Sequence, residues 1–204
     1  MTDTPAEPSP TPPSAPRQPR RLRALLIGCV LAAGLGVFLF VGLGTSSNGG
    51  SGSGGVAGVG SIAPDFTLPS LTGGSTVALD ALGRDRHRAV VLNFFASWCV
   101  PCQKETPLLA STERAERARG ANVQFVGVDV ADQTAAALAF VRQSGIGYPV
   151  GVDSTLKVTS VLYGLNGQPN TFFIDASGRV RGHVIGEVTP AGLRGWLRRL
   201  DSPI

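Results

Sequence analysis

The run Trp98-Cys99-Val100-Pro101-Cys102 puts two thiols three positions apart. Residues 90–95 before it are apolar and read as a strand; residues 103–119 after it read as a helix. Two thiols at such a strand-to-helix turn are close enough for a reversible bridge. A thiol at the start of a helix faces unsatisfied N–H groups and the positive end of the helix dipole, which stabilise its thiolate. The thiolate is the nucleophile, so Cys99 is expected to attack, and Cys102, one turn in and more covered, to resolve the mixed disulfide that results. An inert disulfide and half of a zinc site compete with this reading. Structural zinc takes four ligands, and the same region adds only His87 and His183, with no second Cys pair. No metal and no cofactor are therefore expected, and both histidines are read as surface or satisfied polar groups. The third cysteine, Cys29, lies in a long apolar run, so the chain is not a disulfide-stapled scaffold.

The elements that must position the pair follow from hydrophobic pattern and turn residues. Residues 89–95 form a continuous apolar run, as expected of a central strand covered on both faces. Before it, residues 63–68 read as a short edge strand, Gly73-Gly74 as a turn, 76–79 as the returning strand and 80–88 as a polar connection. Pro107 is expected to kink or break the helix that starts near Cys99; the helix resumes and stops at Arg119-Gly120. Strands are expected at 123–130, 150–152, 171–174 and 180–185, and helices at 133–144, 154–162 and 189–200. Asp175-Ala176-Ser177-Gly178 is a hairpin signal, and Thr189-Pro190 an N-cap followed by Pro at the first helical position. The result is an α/β domain with a mixed sheet flanked by helices.

Upstream, the 204-residue chain changes character. Residues 1–23 are rich in Pro and end in Arg17, Arg20, Arg21 and Arg23; they are expected to be a disordered cytoplasmic segment. Residues 24–44 carry no charge and are long enough to span roughly 30 Å as a helix. With arginines on the N-terminal side, the rule that positive flanks stay inside places the rest of the chain outside the membrane. A single-pass anchor is the first reading of 24–44. A cleaved signal peptide is the second, and a lipoprotein signal at Leu26-Ile27-Gly28-Cys29 the third. Residues 45–60 are a Gly/Ser linker, and 61–204 the globular domain, long enough to bury a core. The net charge of +4 is split evenly along the chain, with no basic stripe of interleaved aromatics; nucleic-acid binding is not expected.

With these residues in view, residues 62–200 resemble the thioredoxin superfamily, and within it the membrane-anchored, extracytoplasmic TlpA/ResA-like group of AhpC/TSA-redoxin type. Four motifs in order carry the resemblance: Ala63-Pro64-Asp65-Phe66, the stretch from Val91 through Cys102, Glu105-Thr106-Pro107-Leu108, and Gln168-Pro169-Asn170-Thr171-Phe172-Phe173-Ile174-Asp175. The resemblance implies a thioredoxin fold with an N-terminal β-hairpin extension and a central helix-strand insert. It implies that Cys99-Cys102 is a redox-active disulfide and that Pro169 is a cis-proline packed against it, leaving the Gln168 backbone free for a substrate strand. Trp98, Val100, Pro101, Gln168 and Pro169 are the expected substrate-contacting residues. Glu105, one turn beyond Cys102 on the same helix face, is expected to exchange protons with it; a plain helix-start glutamate is the competing reading. Asn93 stands where cytoplasmic thioredoxins carry a buried acid. Gln168-Pro169-Asn170 departs from the group's usual apolar-Pro-Thr, which points to a different substrate surface.

The function expected is an extracytoplasmic, membrane-anchored thiol–disulfide oxidoreductase that reduces disulfides in exported proteins, apocytochrome c among them. A reductase outside the membrane needs electrons, so a membrane donor of the CcdA/DsbD kind is an expected partner; a monomer is expected. Oxidative folding of the DsbE/DsbA-like kind is the alternative direction. A non-catalytic tethered binding module is the alternative of another class. A peroxidase is disfavoured, because Leu92 and Ala96 stand where Pro-x-x-x-Thr-x-x-Cys needs Pro and Thr.

Overall fold

The computed structural model of the chain describes residues 56–201. The Pro/Arg-rich segment, the apolar run 24–44 and most of the Gly/Ser stretch lie outside the described residues. Among the described residues, no helix is long and apolar enough to cross a membrane.

The fold is built around β3 (Ala89–Phe95), all seven residues of which are buried. It pairs in parallel with β4 (Val123–Val130) on one side and antiparallel with β6 (Asn170–Ile174) on the other. β5 (Val150–Asp153) extends the sheet beyond β4, and β7 (Val180–Ile185) beyond β6, giving the order β5-β4-β3-β6-β7. Alternate side chains of β3 feed two cores. Val90, Leu92 and Phe94 pack with Phe66, Leu68, Tyr163 and Phe172 on one face. Val91 and Phe95 pack with Leu109, Phe140, Phe173 and Leu193 on the other. That second face is covered by α1 (Val100–Ala118), α2 (Thr134–Ser144) and α3 (Pro190–Asp201). A strand walled in on both sides has no solvent face, which explains its nearly continuous apolar reading, broken only by Asn93. The expected mixed sheet flanked by helices is the architecture found.

Pro107 neither breaks nor ends α1, which runs as one helix through it. The proline is exposed, so the Gln103 carbonyl that loses its amide partner lies on the exposed side, where water can satisfy it. The opposite side is locked into the core through Cys102, Glu105, Thr106, Leu109 and Ala110. Residues 154–162 also differ from an ordinary helix. Leu156 takes a left-handed conformation, φ 60°, and Lys157–Leu162 forms a π-helical turn. Asp153, fully buried, draws in both the N–H and the hydroxyl of Thr159 at 2.7 Å, and the Tyr163 amide reaches back five residues to the Val158 carbonyl. The carboxylate thus competes with the regular i→i−4 ladder. Within the expected polar connection 80–88 the chain forms two short helical turns, Leu79–Leu82 and Arg84–Arg86.

The N-terminal hairpin pairs β1 (Thr67–Leu68) with β2 (Val77–Ala78) across the Gly73-Gly74 turn, where both glycines have positive φ. The hairpin leans on β5. Leu71 N–H donates to the Val150 carbonyl at 2.8 Å, and Val152 N–H to the Pro69 carbonyl at 2.9 Å. The last residues of the expected linker are also part of the fold. Ala57 is buried and its amide donates to the Leu162 carbonyl, while the Gly60 amide donates to the Val180 carbonyl.

Gly151 lets the hairpin come this close: a Cβ there would lie 2.8 Å from Leu68 Cβ. Gly151→Ala is expected to lower the unfolding free energy by about 1–3 kcal/mol through overpacking. Gly195→Ala, in α3 with open space around it, is expected to raise it by about 0.5–1 kcal/mol. Chemical denaturation of both variants checks the pair; equal effects would mean the hairpin is not held through this contact.

Candidate functional site

β3 runs out at Phe95 and hands the chain through Ala96, Ser97 and Trp98 to Cys99. Cys99 is the N-cap residue of α1, with extended backbone, and its Sγ accepts from the Cys102 amide at 3.3 Å. Cys99 and Cys102 are joined as a disulfide. Cys102 is fully buried and Cys99 nearly so, and Trp98 and Val100, 60% and 58% exposed, flank the bridge at the surface. The Gln168–Pro169 peptide is cis, as the resemblance implied. It places the Gln168 carbonyl 3.5 Å from Cys99 Sγ, a contact an S–H can turn into a hydrogen bond once the bridge is reduced. Between Trp98, Leu156, Ser160, Leu165 and Gln168 lies an open cleft of about 360 Å³.

The loop bearing Pro169 is pinned from behind. The Gly186 amide donates to the Pro169 carbonyl at 2.9 Å. Asn170 Nδ2 donates to the Gly167 carbonyl at 2.7 Å, and its Oδ1 faces His183 Nε2 at 2.7 Å. His183 stacks on Phe172 with centroids 4.0 Å apart, and its partial burial depresses its pKa. It is a satisfied polar group, as expected; His87 lies exposed at the end of the Arg84–Arg86 turn.

Glu105 is 1% exposed. Its Oε1 accepts from Asn93 Nδ2 at 2.8 Å and its Oε2 from the Val188 amide at 2.7 Å. Asn93 also donates to Thr171 Oγ1 at 3.0 Å, tying β3, β6 and α1 together beneath the bridge. Burial pushes the Glu105 carboxyl up to about 6 from 4.5; the Val188 and Asn93 bonds pull it down and the charge of Glu187 pushes it further up. A carboxyl so held can give or take a proton near neutral pH at modest cost.

All the residues singled out in the sequence gather here: Trp98 to Cys102, Glu105 one turn inward, and Gln168-Pro169 opposite. Others come only with the fold. Val188 binds Glu105 through its backbone, so its residue type carries no signal. Asn93 was legible as a missing acid but not as Glu105's donor. The Asn170–His183 pair joins residues on adjacent antiparallel strands, and an Asn directly after the cis-proline was its one trace in the sequence. Asp132, two residues past β4, holds the Ser97 amide and hydroxyl at 2.5 and 2.9 Å.

A sheet of this order, with a Cys-x-x-Cys bridge capping the helix after its central strand and a cis-proline facing it, defines a thioredoxin-fold thiol–disulfide oxidoreductase. The chain belongs to the AhpC/TSA family, whose model matches residues 59–183. It is 32% identical over 142 residues to the thiol-disulfide oxidoreductase ResA of Bacillus thuringiensis strain Al Hakam, covering 70% of this chain and 78% of that one. With the ResA of Geobacillus thermodenitrificans it shares 28% over 184 residues, 90% of this chain and 98% of the relative. Among solved structures it is similar to a putative thiol:disulfide interchange protein DsbE from Chlorobium tepidum, at 31% identity and a TM-score of 0.61. That match covers 71% of this chain and 98% of the other. It is also similar to MTB DsbF, solved in mixed oxidized and reduced forms, at 27% identity and a TM-score of 0.58, covering 66% of this chain and 94% of that one.

Because the folded state holds the Glu105 proton more tightly than the unfolded chain, stability that depends on Glu105 is present below about pH 4.5 and lost as pH rises towards about 6. Relative to Glu105→Gln, the wild-type protein is expected to lose about 2 kcal/mol between pH 4 and pH 7.5. Urea unfolding of the oxidised proteins across that range checks it; a difference that does not change with pH would put Glu105 in the ordinary carboxylate range.

Proposed function

We propose that this chain is a membrane-tethered, extracytoplasmic reductase of disulfides in exported proteins, with apocytochrome c among its substrates. The observation that carries the reading is the bridge itself: Cys99 sits at the mouth of a helix with Sγ on a backbone amide, Cys102 is sealed behind it, and a buried carboxyl lies one turn further in.

In the reduced enzyme Cys99 is the attacking thiolate. Its sulfur bonds to one sulfur of the substrate disulfide, and the other sulfur leaves as a thiolate and takes a proton. Cys102 then loses its proton, attacks Cys99 and releases the second substrate thiol. Two electrons pass from the dithiol to the substrate, and the Cys99–Cys102 disulfide is what remains. Glu105 exchanges the proton with Cys102 in this second step. Trp98, Val100, Pro101, Gln168 and Pro169 form the surface that receives the substrate strand, beside the cleft that Leu156 and Ser160 help to line. Restoring the dithiol outside the cytoplasm calls for a membrane dithiol donor of the CcdA/DsbD kind. The tether is the apolar run 24–44 with its arginine flank, followed by the Gly/Ser stretch. The thiol-disulfide oxidoreductase and thiol:disulfide interchange names of the similar proteins support the reading of thiol–disulfide exchange at this bridge.

Two measurements test this. In Cys102→Ala, mixed disulfides on Cys99 are expected to accumulate with exported proteins; their absence in cells that express the variant would remove the catalytic reading and leave a binding module. The reduction potential of the Cys99–Cys102 couple, measured against glutathione, is expected to lie well below about −180 mV, the range of oxidative isomerases. A value there or higher would turn the assignment to oxidative folding.

A further inference from the structure

Ser97 lies two residues before Cys99, in the turn between β3 and α1. Asp132 grips that turn with both oxygens: Oδ2 accepts from the Ser97 amide and Oδ1 from the Ser97 hydroxyl, while Oδ1 also accepts from the Gln133 amide at 2.7 Å. Three donors thus converge on this one carboxyl group. Three residues earlier, on β4, Asp129 is fully buried and neither of its oxygens has a donor. Its strand neighbours in register are Phe95 on β3 and Val152 on β5, both apolar. Among the described residues the charge that acts on Asp129 is that of Asp132, and the two carboxyl groups are within hydrogen-bond reach. As two carboxylates they cannot bond to each other. With one proton between them, Asp129 gains the partner it otherwise lacks, and a buried charge is avoided.

We propose that Asp129 and Asp132 share one proton, and that this proton makes them positioning residues for Cys99 by keeping Asp132 seated on Ser97. Burial first, and then the Asp132 carboxylate, push Asp129 up to about 7. Above that range two adjacent carboxylates repel. Asp129 is walled in, whereas Asp132 is half-exposed and can swing out. Swinging out releases the Ser97 amide and hydroxyl, and with them the turn that aims Cys99 at the Gln168 carbonyl and the Cys102 amide. Glu105 titrates separately, against Asn93 and Val188. The inference rests on Cys99 being the reactive thiol, and on neither the direction of transfer nor the substrate.

The test follows the rate at which the reduced full-length protein reacts with a small aromatic disulfide from about pH 5.5 to about pH 9, divided by the Cys99 thiolate fraction read from thiolate absorbance in the same samples. The wild-type rate per thiolate is expected to fall roughly tenfold across neutral pH, as loss of alignment costs rate steeply, and to do so in a Glu105→Gln background as well. Asp129→Asn, whose amide donates to Asp132 at every pH, should keep the low-pH rate throughout. Ser97→Ala, which leaves the core intact, should start low and show no fall. A flat wild-type profile, an Asp129→Asn profile that falls like wild type, or a Ser97→Ala profile that matches wild type overturns the proposal. If Asp129→Asn does not fold, Ser97→Ala decides. A Cys99 unreactive at every pH overturns both this proposal and the proposed function; a reactive Cys99 with a flat profile overturns this one alone.

Discussion

α1 begins on a sulfur atom. The Cys102 amide is one of the donors that any helix leaves unpaired in its first turn, and here it is satisfied by Cys99 Sγ. An electronegative atom in that place is favoured more when it carries charge, so the same contact that starts the helix also biases Cys99 towards thiolate once the bridge opens. This requires the first turn of α1 to stand in one place relative to the sheet. The doubly buried β3 supplies that, because a strand walled in by two cores cannot slide by a residue without exchanging the side chains fitted to each core. Cys99 is therefore placed by the packing of Leu92, Phe94 and Phe95 together with the Ser97 turn that Asp132 holds.

The acid beneath the bridge works under the opposite pressure. Glu105 is an ionisable group in a core, and on burial alone it would stay neutral. Asn93 and the Val188 amide return enough hydrogen bonding to bring its ionisation within reach of neutral pH. A stronger acceptor shell would fix it as a carboxylate, and a weaker one as an acid. Either would serve poorly as the proton partner that we propose for Cys102. The amide of Asn93 matters here as a donor that no pH change removes, where a second acid in its place would titrate together with Glu105.

Much of this was legible from the residues. The strand–turn–helix around Cys99, the hairpin before it, the hairpin Asn170–Ile174 to Val180–Ile185 and the capped last helix follow from hydrophobic period and turn chemistry, and the structure has them within a residue or two, except that the strand expected over 63–68 keeps only Thr67–Leu68. What failed was where tertiary contacts overrule local rules. The sequence predicts a kink or a break at Pro107, and the break does not occur, because the propensity of one residue is visible in the sequence and the packing of five neighbours is not. Residues 154–162 were read as an ordinary helix because a buried Asp153 reaching for the Thr159 amide leaves no periodic trace. The site divides the same way. Residues adjacent in sequence to the thiols are legible from local chemistry and Gln168-Pro169 from the resemblance; Val188, Asp129 and the contact between His183 and Asn170, brought in by the fold, are not.

The segment ahead of β3 has a consequence for how the sheet is guarded while the chain folds. An open five-stranded sheet has two bare edges, and bare edges recruit other chains. Here Pro69, Ser70 and Leu71 lie along β5, and Gly60, Ser61 and Ile62 lie along the start of β7. One stretch of chain, barely a dozen residues long, thus hems the sheet on both borders. A chain that is still folding has a brief period in which such borders are open. Having both hems on the part of the chain that is translated first means that they are already present when the sheet strands arrive to be covered.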